Sequence, residues 1–504
     1  MRLSPITVAS LIVLAALVPA AIPAQTSRSV GITPTPGSAP ATEAPTTVLG
    51  WQDMTRRDVQ AYADGAWKNY IYAAYPEPAA WLARFDRIVA EVETHIPLVR
   101  DAAGYQAVLR YLGTTFHDAH TGIQFGMPPV KAEWPGFLAR FDNGRYRITE
   151  SRSGGLVDGS ELTACDGKPV SWWIDTISRY EISTPIALET SRMTAALRLL
   201  MDRGTPLRPR PSKCVIGGRT VALDWRTAPL DELQPVILSW QGSRKRGVTT
   251  RMIGTDGAWV TLGYFAPESD EQAAAFHTAI AAAPSLRKKR FIVLDVRGNP
   301  GGPYNWFMGY LRGLYGQPYA DYYATARLNI RGVYRLSSAY IALDDEAAKE
   351  ADAFKTPVDA TFEVNKAEDE SELKRAKAAG DSLFTAGRIP IVRGVAPANP
   401  VGAQVLVLTD YGCASACIGF VDELKRFPGV RQIGLPTSVD SRSGTSVAIP
   451  LPSGNATAYL AAMTRDGRER GDNVPQLPSL RFAGDFRDDQ AVERWVTNDV
   501  AKRP

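Results

Sequence analysis

The sequence predicts an α/β protein whose C-terminal half holds a mainly parallel sheet covered by helices, preceded by a helical region and a small β-rich domain. Three observations predict it. From about Gly247, strand-like runs alternate with helical spacing: "GAWVTLGYF", "DEQAAAFHTAIAAAP", "RFIVLDVR", "YNWFMGYLRGLYG", "AQVLVLTD" and "ACIGFVDELKRF". Strands separated by helices pair in parallel. From Trp134 to about Pro229, short alternating runs with turn residues, such as "GRYRITESRSGG" and "CVIGGRTVALDW", read as strands around the helical stretch "IALETSRMTAALRLLMD". Earlier still, residues 51 to about 115 repeat apolar positions at helical spacing.

In chain order the elements are as follows. Residues 1–24, "MRLSPITVASLIVLAALVPAAIPA", pair one arginine with an apolar run and a small-residue exit, which predicts a secretory signal peptide cut after Ala24. Pro19 and Pro23 interrupt the run short of the ~20 apolar residues that a membrane span needs. Residues 25–49 are rich in Pro, Thr, Ser and Gly and read as a disordered linker. A helical region at 50–128, a β-rich domain at 130–230 and an α/β core at 245–504 follow. Within the core, 318–400 is charged, helix-favouring in "DDEAAKEADAF" and "AEDESELKRAKAAGDSLF", and too long for a crossover. It reads as an inserted arm or lid, and as the candidate for self-association into a homo-oligomer.

The 504 residues, 45% hydrophobic, support a large core. A net charge of +4, spread over 57 basic and 53 acidic residues, excludes a field that would hold nucleic acid or a membrane surface. The clusters Arg244-Lys245-Arg246 and Arg287-Lys288-Lys289-Arg290 read as solvated loops. In an exported chain the four cysteines are expected to pair. Cys165–Cys214 with Cys413–Cys417 is the most local of three connectivities. The four histidines have no metal-ligand spacing to the cysteines, so neither a metal nor an organic cofactor is expected.

Two loops follow buried strand runs: "DVRGNPGG", Asp295 to Gly302, and "DYGCASAC", Asp410 to Cys417. Ligand sites form beyond the carboxyl ends of parallel strands. Gly301 and Gly302 let a substrate approach the backbone amides. The helix after Ser415 starts with unpaired amides, so the Ala416 amide is a candidate oxyanion donor. A hydroxyl with converging amides is an acyl-transfer arrangement. The same outline describes phosphate binding, but no Walker-type lysine motif appears.

These two motifs, followed by "RQIGLPT", resemble the core of the tail-specific, or C-terminal-processing, serine proteases over roughly 245 to 504. The resemblance implies a crotonase/ClpP-like fold, Ser415 as nucleophile, Gly302 and Ala416 as oxyanion donors, and a polypeptide substrate. It also gives "GGLVDGSELTACDGKPV" a PDZ-like reading, a module that adds a peptide's extended end to its sheet edge. Many members use a lysine as base, yet in "GLPTSVDSRSG" Asp440 stands where that lysine would be. "TTFHDAHTGIQFG" resembles the D-G-H-T segment of members near the tricorn core protease, which assigns the base to His120, with His117 as competitor. An imidazole with a pKa near ~6.5 accepts a proton at neutral pH, as an ordinary lysine near ~10.4 does not. Glu469 and Asp440 are the candidates to orient it. His95 and His277 read as structural residues of amphipathic helices. The expected activity is that of an exported, periplasmic or extracellular, serine endopeptidase. Alternatives are an inactive peptide binder on the same fold and another acyl-transfer hydrolase on this scaffold.

Overall fold

The run FIVLD, Phe291–Asp295, is buried at every position, as a strand covered on both faces must be. In the computed structural model, which describes residues 43–75, 78–127, 130–244, 246–324, 330–343, 360–386 and 394–501, it lies inside a six-stranded sheet. The order is Val248–Ile253, Gly257–Leu262, Phe291–Asp295, Gln404–Thr409, Val430–Gly434 and Leu480–Arg481. The first two strands form an antiparallel hairpin, and every other pairing is parallel. Parallel neighbours need crossovers, supplied by the helices Asp270–Ala282, Tyr304–Tyr315 and Ala416–Leu424. The first of these starts at Ser269, which accepts from the Gln272 amide, with Asp270 and Glu271 in the first turn where the helix dipole favours them.

Between the helices and the sheet, Phe265 packs on Phe276, Phe307 and Phe420, with ring centroids 5.4–6.1 Å apart. Each such ring contributes roughly 1.5–3 kcal/mol by leaving water. Phe291 pairs with Gln404 and Asp295 with Leu408, so the two central strands end side by side. The loops that follow them therefore leave the same edge of the sheet, as expected from the sequence.

Contacts divide the described residues into two units: one of Gly242–Val447 with Ala461 onward, the other of residues 43–241 with Ala448–Leu460. The first holds the six-stranded sheet. Its segment 318–400 contributes the strand Arg331–Arg335, antiparallel both to Leu383–Ala386 and to the end of the strand Ala456–Asp466, and the helix Ala360–Ala379. The expected helix "DDEAAKEADAF" lies outside the described residues.

The second unit begins with the helices Val48–Asn69, Pro78–His95 and Ala102–Thr114. Thr47 and Asp101 cap the first and third. The β-rich part holds the hairpin Leu138–Asp142 with Arg145–Thr149 and a four-stranded sheet, Lys168–Pro169, Leu162–Cys165, Lys213–Ile216 and Arg219–Ala222. Cys165 and Cys214 face each other across that sheet and are disulfide-bonded. The signal peptide at 1–24, and the linker as far as residue 42, lie outside the described residues. No helix among the described residues is long and apolar enough to cross a membrane.

In the basic clusters the arginines are held by partners, while Lys288 and Arg290 keep the exposure expected of a solvated loop. Arg244 donates to the main-chain oxygen of Arg487 at 3.0 Å, and Arg246 reaches Asp489 at 2.6 Å. Arg287 caps the end of the helix Tyr304–Tyr315, donating to Leu314 O and Gly313 O at 2.7 and 3.0 Å, and Arg290 holds Ala501 O. Their partners are distant in sequence, which is why the clusters looked like solvated charge.

Candidate active site

Ser415 stands at the junction of the strand Gln404–Thr409 and the helix Ala416–Leu424 with φ 50° and ψ −121°. A non-glycine residue there costs roughly 1–3 kcal/mol, and such strain is kept where the surroundings over-determine it. Serine is a favoured N-cap, yet this side chain makes no capping bond to the helix. The turn is clamped instead by other means. Cys413 and Cys417 form a disulfide across it, the Cys417 amide donates to Ala414 O at 2.9 Å, and the Ser438 amide donates to Cys413 O at 3.0 Å.

The glycine loop is fixed from its first residue. Arg297 grips the Asp295 carboxylate with Nε and Nη2 at 2.9 and 2.8 Å, and Trp259 Nε1 donates to the same carboxylate at 3.2 Å. Arg297 Nη1 also lies 3.0 Å from Asp489. Burial pushes the Asp295 carboxyl up, but Arg297 overcomes it and holds it below the usual carboxylate range. Asn299 then ties three pieces together. Its Nδ2 donates to Leu262 O at 2.7 Å, its Oδ1 accepts from the Gly301 amide at 2.8 Å, and its main-chain oxygen accepts from the Ala414 amide at 3.0 Å.

Gly301, at φ 102°, lies directly on the serine turn: a Cβ there would sit 2.9 Å from both Ala414 O and Ala416 N and 3.0 Å from Ser415 Cβ. Gly302, at φ 137°, packs on Phe265, where a Cβ would come within 2.2 Å of a backbone carbon. Of the two glycines, Gly301 touches the turn. The loops share a second staple in Asp410, whose buried Oδ1 accepts from the Gly298 and Gly412 amides at 2.9 Å each. Burial pushes its carboxyl up to about 6, against the pull of those amides and of Arg297.

Asp440 and Glu469 belong to the same unit as Ser415, and both are engaged by arginines. Buried Asp440 Oδ1 accepts from Arg468 and Arg470 at 3.0 and 2.6 Å. Glu469 pairs with Arg426 at 2.8 Å, its side chain 78% exposed.

In the other unit, His120 lies in the turn between the helix Ala102–Thr114 and the strand Gly122–Phe125. It is buried, its amide donates to Asp118 Oδ1 at 2.9 Å, and its Nδ1 lies 3.8 Å from that same oxygen. Tyr70 donates to Asp118 Oδ2 at 3.3 Å, and burial together with the Asp118 charge holds the Tyr70 phenol well above its ordinary range. Asp118, not among the residues expected at the site, is a carboxylate beside the His120 ring. The available signal was local: an aspartate two residues before the histidine can accept its amide in an Asx turn. His117 has φ 50° and is exposed. His95 meets Tyr111 and Tyr180 edge-on, and His277 lies tilted against Trp306. Among the described residues, no three His, Cys, Asp or Glu side chains are grouped as metal ligands.

No family model and no curated protein matches the sequence. Solved structures do match. Mature CPAF complexed with lactacystin is 15% identical over 89% of this chain and 100% of that one, with a TM-score of 0.56. Mature CPAF alone is 16% identical over 88% and 98%, with a TM-score of 0.55. The photosystem II D1 C-terminal processing protease aligns at 13% identity over 86% and 92%, but its TM-score of 0.30 carries no argument. At these identities the likeness to CPAF is one of fold, and it spans both units of this chain.

Proposed function

We propose that this chain is an exported serine endopeptidase of the tail-specific, C-terminal-processing type, acting on polypeptides. The observation that carries the reading is Ser415, held at φ 50° between a strand and a helix, with its side chain not used as a helix cap and Gly301 against its turn. A strained nucleophile turn on a sheet edge, beside a glycine loop, is what acyl transfer needs. The fold shared with CPAF and the resemblance of both motifs to tail-specific proteases support the same reading.

In the proposed reaction Ser415 Oγ attacks the scissile carbonyl carbon, and His120, the base assigned by the resemblance, takes the hydroxyl proton. The carbonyl oxygen becomes an oxyanion, held by the Gly302 and Ala416 amides. His120 returns the proton to the leaving amine, and water then hydrolyses the acyl-enzyme by the same route in reverse. Asp118 positions His120 and favours its protonated form in the transition state. Asp440 and Glu469 rank behind Asp118 for this role, because each is already engaged by arginine.

The finer parts of the reading are a crotonase/ClpP-like core, a PDZ-like role for the β-rich domain in holding an extended peptide, and self-association through 318–400. Two disulfides fit a chain that folds outside the cytoplasm. The test is turnover of an unfolded protein by wild type, Ser415→Ala and His120→Ala. Loss in both variants is expected. Equal turnover by Ser415→Ala would overturn the nucleophile, and loss in His117→Ala but not His120→Ala would move the base.

A further inference from the structure

Four arginines surround one carboxylate in the second unit. Arg110 comes from the helix Ala102–Thr114, Arg198 from the helix Glu189–Leu199, and Arg203 and Arg208 from the loop after it; Glu181 ends the helix Val170–Glu181. With Gln241 they line a cavity of about 30 Å³. A single water needs roughly 10–15 Å³ on that measure, so the space admits a few heavy atoms and no ring system.

Glu181 does not satisfy this cluster. Arg208 Nε donates to Glu181 Oε1 at 2.5 Å, and Arg198 Nη1 lies 3.6 Å from Oε2 while donating to the Glu181 main-chain oxygen. Arg208 Nη2 reaches only Arg198 O, at 3.4 Å. The Arg208 side chain is 2% exposed, and its Nη1 is buried with no hydrogen-bond partner; Gln241 Oε1 is in the same state. Among the residues lining the cavity four cations face one anion, and one guanidinium donor is unfilled. Burying such a donor without an acceptor is costly, and a planar guanidinium matches an oxyanion better than it matches water. Burial, then Arg203 and Arg198, push Arg110 down to about 9, which is the strain an added anion would relieve. On the other side, burial pushes the Glu181 carboxyl up, and Arg208 and Arg198 overcome it to hold it at about 2, so this acid stays ionised.

We propose that this cavity is a binding site for a compact multivalent oxyanion of the phosphate or sulfate class, received by Arg208 Nη1 and neutralised by Arg110, Arg198 and Arg203. A dianion suits the surplus better than a carboxylate does. The site shares no residue with the proposed catalytic set, and the proposal does not depend on the peptidase reading.

The test uses the full chain and inorganic phosphate. Calorimetric titration should show one site, and phosphate at a hundredfold excess over its dissociation constant should raise Tm by roughly 5 °C beyond sodium chloride at equal ionic strength. Sulfate should compete. Arg203→Gln, at a half-exposed position and without a hydrogen bond or ion pair to Glu181, should fold with unchanged circular dichroism and weaken phosphate at least tenfold. Ser415→Ala should bind phosphate as wild type does. Absence of binding at about 10 mM phosphate, stabilisation equal to that by chloride, or equal binding by wild type, Arg203→Gln and Arg110→Gln would each overturn the site.

Discussion

Replacing Asp410 with asparagine should stabilise the protein more at neutral than at acid pH. Asp410 Oδ1 accepts from the Gly298 and Gly412 amides, and an asparagine carbonyl can keep both bonds. What the substitution removes is a buried charge. Burial raises the Asp410 carboxyl from 3.8 to about 6. The folded state therefore binds this proton more tightly than the unfolded state, so between about pH 4 and 6 the wild type loses stability as pH rises, and above 6 the loss is complete. A gap of about two pH units at 1.36 kcal/mol each gives a loss of about 3 kcal/mol. Asp410→Asn does not titrate there, while every other acid is common to both proteins. Urea unfolding of the pair at pH 4, 5, 6 and 7 should show the variant gaining on wild type by about 3 kcal/mol across the series. A difference that does not change with pH, or wild type gaining as pH rises, would mean that the two amides and Arg297 outweigh burial, and would refute the reasoning.

Other predictions concern the turn and the base. Gly301→Ala places a methyl 2.9 Å from Ala416 N at φ 102°, and strain plus overpacking should cost about 2–5 kcal/mol and nearly all turnover; denaturation and hydrolysis assays giving wild-type values would contradict it. Cys413→Ser/Cys417→Ser should lose about 2 kcal/mol, from the small closed loop, and lower kcat more than KM, as the Ser415 turn relaxes; unchanged kcat would show that the hydrogen bonds alone hold it. Asp118→Asn should lower kcat/KM at least about tenfold, with the acid limb of the pH–rate profile moved to lower pH. A profile scaled down with its limb in place would mean that Asp118 is merely structural.

The strand and helix runs of the sheet were legible because burial and period are local properties: FIVLD and QVLVLT read as buried strands from apolar content alone, and the loops behind them follow from parallel pairing. Cys413–Cys417 was legible for the same reason. What joins the two loops was not. Asp410 carries no local signal of its role, since its second partner, Gly298, lies 112 residues away. Arg246 and Asp489 are separated by 243 residues, so the basic clusters could not be told from solvated charge. The arginine cavity draws on Arg110 and Arg208, which no periodicity links. Asp118 sits two residues before His120, a spacing that an Asx turn makes readable from the sequence.

The central claim is that the strained turn makes Ser415 a nucleophile. Treating the folded chain with a fluorophosphonate and mapping the adduct by peptide mass spectrometry tests it most directly. A nucleophilic Ser415 gives one adduct per chain, on Ser415, absent from Ser415→Ala and slowed in His120→Ala. A folded chain left unmodified, or modified at another serine with Ser415 untouched, would contradict it.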